Sequence, residues 1–219
     1  MDNNTLAIYI HELRNQIMHT EASFNLFNQA MTNRAGPGVL FAGQMILMPG
    51  SQIASLLWPA RARARARGEA LRKVLGLEEK HPLNDRRLSE IWEHSDEKIE
   101  EWITATKGKR VVIDFVGNPF QEGSGVTEDV IYRAYNPESK TYYFRGVGYN
   151  LEAVAKAIGD VANRVNAIYR QMFPERAKAE DEARARMMEA MQAQAAAAQA
   201  EAGEAAAPAA DTREEKADA

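Results

Sequence analysis

Two arginine–histidine pairs are the residues of this chain best suited to acid–base chemistry. In "RRLSEIWEHSDEKIEEW", residues 86–102, His94 follows Arg87 by seven positions. Read as one helix, that step is two turns, so the imidazole and the guanidinium share a face. Glu90 and Glu101 fall on the same side. The apolar stripe of the segment, Leu88, Ile91, Trp92, Ile99, Trp102 and Ile103, lies elsewhere around the helix. His94 is therefore expected on the polar flank, and imidazole is the side chain that titrates nearest neutrality. In "RNQIMH", Arg14 precedes His19 by five positions. On an uninterrupted helix that step sets the two side chains about 140° apart. A third feature, "RARARAR", places Arg61, Arg63, Arg65 and Arg67 on two neighbouring helical columns. Such a patch contacts phosphates or sits solvated beside carboxylates.

The elements that must position these groups are mostly helical. Leu6, Ile10, Leu13, Ile17, Thr20, Phe24, Phe27 and Met31 form one apolar seam, which predicts a helix from about Thr5 to Met31. "NRAGPG" ends it. A second helical region spans Val39 to Trp58, with a bend expected at Pro49-Gly50. A third runs from about Ala62 to Leu75, with Gly76 as its C-terminal cap. Asn84 or Asp85 caps the fourth, the segment that carries Arg87 and His94. From Arg110 the character changes. "RVVIDFV" reads as a strand, and "VTEDVIYRAY", "NPESK" and "TYYFRG" read as strand, turn and strand. After Gly148, with Asn150 as N-cap, a long helix buries Leu151, Val154, Ile158, Val161, Val165, Ile168 and Met172.

The fold class expected is mainly α: a four- to five-helix bundle over residues 1–107, then a small antiparallel β-hairpin or three-strand element and a long helix packing back over 108–173. An Ala/Glu-rich tail over 174–219 is expected to be a frayed helix to about Ala200 and disordered beyond. Of 27 basic and 31 acidic residues, 6 and 11 fall from Glu175 onward, so the net charge of -4 belongs to the tail and the body is near neutral. That balance excludes the strongly basic footprint of a general nucleic-acid binder. With no cysteine in 219 residues, disulfides, thiolate nucleophiles and cysteine-ligated zinc are excluded. The absence of a leader pattern in "MDNNTLAIYIHELRN" adds to the expectation of a cytoplasmic protein. Residues 39–58 are long enough to span a membrane, but Pro49-Gly50, Gln44, Ser51, Gln52 and Ser55 argue for a buried core helix.

No cofactor or metal is expected. His11, Asn15 and His19 form a column without a completing carboxylate, and "GNPFQEGSG" lacks the lysine and following helix of a P-loop. Tyr132, Tyr135, Tyr142, Tyr143, Phe144 and Tyr149 cluster on the hairpin, where cross-strand packing and a protein-contact surface are the leading reading and base stacking the alternative.

Arginine followed by histidine at this spacing resembles the Arg-x(4–6)-His signature of the HEPN superfamily. "EHSDEKIEEW", after a helical region ending "LLWP", also resembles uncharacterised bacterial helical proteins related to that group. The likeness covers residues 6–103. It implies an all-helical bundle of the toxin or defence type and a metal-independent ribonuclease with paired motifs across a dimer cleft. His94 would then act on the attacking 2′-hydroxyl and Arg87 would hold the phosphate. Arg14 and His19 fit the same string, with Asn15 in the polar position where Leu88 follows Arg87. Arg61, Arg63, Arg65 and Arg67 would track the RNA backbone. Three readings remain: a non-catalytic helical protein acting through contacts with a partner or a second copy, a HEPN-like ribonuclease or degenerate RNA-binding relative, and a membrane-associated protein.

Overall fold

Asp2 starts the chain's first helix by capping it. Its carboxylate accepts from the Thr5 amide at 2.9 Å and the Thr5 hydroxyl at 2.6 Å. Helix α1 (Asn3–Thr32) then buries the predicted seam, with Ile10, Leu13, Ile17, Thr20 and Phe27 inside. In this computed structural model the backbone is described for residues 1–205 and side chains for residues 1–197. Helix α2 (Gly36–Leu57) packs along α1. It is a single helix that runs through Pro49, which removes the amide that would reach Met45. Of its most apolar window, 61% is buried inside the protein, as in a core helix.

A 3₁₀ turn (Ala62–Ala64) leads into α3 (Arg65–Leu75), which ends at Gly76 in the left-handed conformation, as expected. The arginine run is therefore divided between two elements and does not form two columns of one helix. A second correction concerns residues 86–102. They form α4 (Arg86–Ser89), a stretch of turns, and α5 (Ser95–Ala105), not one continuous helix. Helix α6 (Leu151–Met172) packs on α1, α2 and α3, and Asn150 caps it through a 2.8 Å bond from the Ala153 amide. α2 and α6 together cover most of the seam of α1.

The protein is mainly helical, with a small four-stranded mixed sheet in the order β1-β2-β3-β4. Strand β1 (Phe115–Val116) pairs parallel with β2 (Arg133–Asn136); β2, β3 (Thr141–Phe144) and β4 (Val147–Asn150) form an antiparallel meander. The run 110–116 yields only this short strand and an isolated bridge from Val112 to Ile131. Asp114 interrupts it at a φ of 54°, with its carboxylate on Arg133 at 2.5 and 2.6 Å. The segment 126–135 is likewise partly helical, with a 3₁₀ turn at Glu128–Val130.

The aromatic residues of the hairpin are core, apart from the half-buried Tyr132. Tyr142 is fully buried, and its hydroxyl donates to the Leu40 carbonyl of α2 at 2.8 Å. Tyr135 meets Phe27 edge-on at 4.9 Å. Tyr143, Phe144 and Tyr149 are each 6% exposed, so they offer no stacking platform for bases.

Residues Met1–Met172 form one compact unit, and Phe173–Ala219 form another. The second consists, as described, of helix α7 (Pro174–Ala205), on which Met187, Met188 and Met191 are exposed and Arg186 pairs with Glu182 at 3.6 Å. The disorder expected for the end of the tail concerns residues 206–219, which lie outside the described residues.

A β-carbon at Gly43 would sit 2.5 Å from two carbons of the Tyr142 ring. Overpacking of this kind costs about 1–3 kcal/mol, against a helix-propensity gain of about 1 kcal/mol for alanine. Gly43→Ala is expected to lose about 0–2 kcal/mol net, read as a Tm lowered by up to about 8 °C in a thermal melt.

Candidate functional site

The break between α4 and α5 organises the region that the sequence marks for chemistry. Asp85 caps α4 through the Arg87 amide at 2.9 Å. Four residues later the helix stops, and His94 takes up a left-handed backbone with φ 48° and ψ 46° before α5 begins. Carbonyls near a helix end need donors from elsewhere. Here they come from four separate side chains. The Ser55 hydroxyl reaches Ser89 at 3.1 Å, and the Tyr149 hydroxyl reaches Arg87 at 3.0 Å. The Lys98 ammonium donates to Glu90, and Arg145 Nη2 donates to Ile91. Arg145 Nη1 also holds the Ser95 carbonyl at 3.0 Å and its hydroxyl at 3.1 Å. Tyr149, mostly buried, has its phenol pushed up to about 12 by burial.

With the helix broken, Arg87 and His94 make no contact with each other among the described residues. The Arg87 guanidinium grips Asp85 through Nε at 3.2 Å and Nη2 at 2.7 Å. The Arg87 hydrogen bonds hold the Asp85 carboxyl below the usual carboxylate range, and Asp85 in turn raises Arg87. His94 is 66% exposed at its side chain, with Nδ1 at 3.5 Å from the Glu97 carboxylate. Arg14 and His19 also separate. Arg14 packs against α6, with its guanidinium 3.9 Å from the centre of the Tyr169 ring and Nε on Asn166 at 3.3 Å. His19 is exposed.

The arginine run splits by role. Arg67 turns inward: Nη2 donates to the Ser55 carbonyl at 3.0 Å, and the group lies 5.8 Å from the Tyr9 ring centre. It joins Arg72, which holds the Leu57 carbonyl, in satisfying the C-terminal end of α2. Arg61, Arg63 and Arg65 are exposed and, among the described residues, have no carboxylate partner. They surround Pro59-Ala60, which lines two cavities. One, about 390 Å³, includes Arg65, Arg72 and Arg86; the other, about 230 Å³, includes Arg61, Arg63 and Arg67. Glu69 and Glu79 stand in the first, and Glu90 and Glu93 in the second.

Comparison with protein-family models, curated proteins and solved structures finds no match.

Sequence reasoning passed over His81, the histidine most enclosed by the fold. Its side chain is 9% exposed. Nδ1 accepts from the Leu83 amide at 3.2 Å, which places the proton on Nε2, facing Asp160 at 3.4 Å. The ring stacks on Trp58 with centroids 5.0 Å apart. Burial pushes its pKa below 6.5, only partly opposed by Asp160; Arg164, bound to Asp160 at 3.0 Å, lowers it further. No periodicity marks such a loop residue.

Two outcomes follow from these geometries. A non-glycine residue in the left-handed region costs about 1–2 kcal/mol, and β-branching worsens it. His94→Gly should therefore retain the fold, whereas His94→Val should be less stable than His94→Gly by about 1–2 kcal/mol in urea unfolding. For His81, the unfolded chain binds its proton at higher pH than the folded one. Stability is then full above about 6.5 and falls as pH drops from there toward the depressed folded value, by at most about 1.4 kcal/mol per pH unit. His81→Asn should flatten that part of the stability profile.

Proposed function

We propose that this is a non-catalytic, cytoplasmic helical-bundle protein that acts through contacts, with the corner around Pro59 docking an acidic segment of a partner protein. The observation that carries this reading is the set of three exposed arginines, Arg61, Arg63 and Arg65, left without carboxylate partners beside two open cavities. Exposed cations steer and orient an acidic partner even where each contributes little affinity. The candidate acid–base groups support no concerted step: Arg87 is occupied by Asp85, and the exposed His94 stands beside Glu97 in the break after α4.

A second reading, a degenerate HEPN-like RNA-binding protein, draws on the same three arginines, which suit a phosphate backbone as well. A membrane-associated role has less support, since α2 is mostly buried by the protein itself.

The test is fluorescence anisotropy with a labelled oligoglutamate peptide and a labelled single-stranded RNA, each across a range of salt. The peptide is expected to bind, to weaken with salt, and to lose about tenfold in affinity, or about 1.4 kcal/mol, when Arg61, Arg63 and Arg65 are all changed to alanine. RNA binding without peptide binding replaces the protein reading by the RNA one. Cleavage of RNA in the presence of a chelator, abolished by His94→Ala, overturns the non-catalytic reading altogether.

A further inference from the structure

A cleft of about 390 Å³ opens between α4–α5 and the β3–β4 end of the sheet. It is distinct from the arginine corner, and its size lies within the range of small-molecule sites. Its walls are largely apolar; Trp102 is the partly exposed ring among them, and the buried Phe144 and Tyr149 close the cleft behind it. Its charged groups are Arg87, Lys98 and Arg145 against the single carboxylate of Glu101. Arg87 is neutralised by Asp85. Lys98 and Arg145 pair with no carboxylate among the described residues; their recorded hydrogen bonds go to backbone carbonyls and the Ser95 hydroxyl.

Those bonds leave donors over. An ammonium has three N–H groups and a guanidinium five. Lys98 uses one, on Glu90, and Arg145 Nε takes part in none of the bonds that hold Ile91 and Ser95. Arg145 is half-buried with its guanidinium 4.5 Å from the Phe144 ring centre, and burial pushes its pKa down. A partly desolvated cation without a counter-ion is an unfavourable arrangement that an anion entering the cleft relieves.

The backbone gives an independent indication. Arg145 and Gly146 form the two-residue connection from β3 to β4, both with positive φ, 49° and 76°. Such turns favour asparagine, aspartate or glycine at the first position. An arginine there accepts a strained conformation of the kind that collects at functional sites.

The geometry points to this cleft as a binding site for a small anion that carries a flat apolar ring, its head group on Lys98 and Arg145 and its ring against Trp102. A carboxylate and a phosphate share the required head-group chemistry.

Calorimetric titration of the full chain with indole-3-acetate, phenyl phosphate and the uncharged indole-3-acetamide tests it. Saturable binding of either acid is expected, and the acid that binds assigns the head group. The amide should bind at least about tenfold more weakly than its acid. Lys98→Met, which keeps the aliphatic stem, should weaken the acid by a similar factor. Ala105→Trp, an exposed substitution at the rim, should block binding while the thermal melt stays unchanged. If neither acid saturates, if the amide binds as tightly as its acid, or if Ala105→Trp binds normally, the site is not there.

Discussion

The phenol of Tyr142, laid across Gly43 and bonded to the Leu40 carbonyl, fastens the sheet to the helical core. Without a β-carbon at residue 43 the ring approaches the α2 backbone closely, and the hydroxyl finds an acceptor where an unpaired one would be costly. Everything the sheet contributes elsewhere follows from that seat. Tyr135, opposite Tyr142 in the β2–β3 register, meets Phe27 of α1. Three residues beyond Tyr142, the chain turns at Arg145, and β4 returns with Tyr149. These two side chains reach the α4–α5 break and hold the Ile91, Ser95 and Arg87 carbonyls.

The break in turn explains why a pattern that reads as one catalytic helix is not one. The apolar stripe from Leu88 to Trp102 is consistent with either a continuous helix or two short ones: α4 packs Leu88 on α2, while α5 buries no residue fully and sets Trp102 against Tyr132. Burial alone does not decide between them. Donors from outside do: once Ser55, Lys98, Arg145 and Tyr149 satisfy the exposed carbonyls, stopping the helix at Ser89 no longer leaves them orphaned. A local signal was present in Asp96 and Glu97, acidic residues that favour the first turn of a helix and that sit inside the supposed uninterrupted one. The long-range donors left no mark on the local sequence.

What was legible follows the same division. The α1 and α6 seams, Gly76 as a helix stop and Asn150 as a helix start depend on neighbours within a few residues, and each is realised. Strand β4 was missed because its turn carries arginine where turn chemistry favours small polar residues. The parallel β1 was over-read because Val111, Val112 and Ile113 favour strand, while the left-handed Asp114 is set by an ion pair to Arg133, 19 residues away. Among the candidate site residues, His94 is exposed as expected, but at a left-handed break and not on the continuous helix from which that was read. The inward turn of Arg67 and the separation of Arg14 from His19 toward different surroundings depended on which helix packs where.

The chain's cations also sort by what they do with backbone carbonyls, and that sorting is informative. Arg72 and Arg164 each hold a helix-end carbonyl and also a carboxylate, Glu79 and Asp160 respectively. Their charge is cancelled where it is used. Arg67 holds a carbonyl and faces the ring of Tyr9. Lys98 and Arg145 hold carbonyls and, among the described residues, pair with no carboxylate, although Glu101 lines the same cleft. Bonding a carbonyl requires only an N–H, which glutamine or asparagine supplies without charge. A full cation at two neighbouring positions, one on a strained turn residue and half-buried, exceeds what holding the backbone demands. The surplus positive potential lies beside the partly exposed ring of Trp102, so an anion that brought its own ring would gain from both features at once.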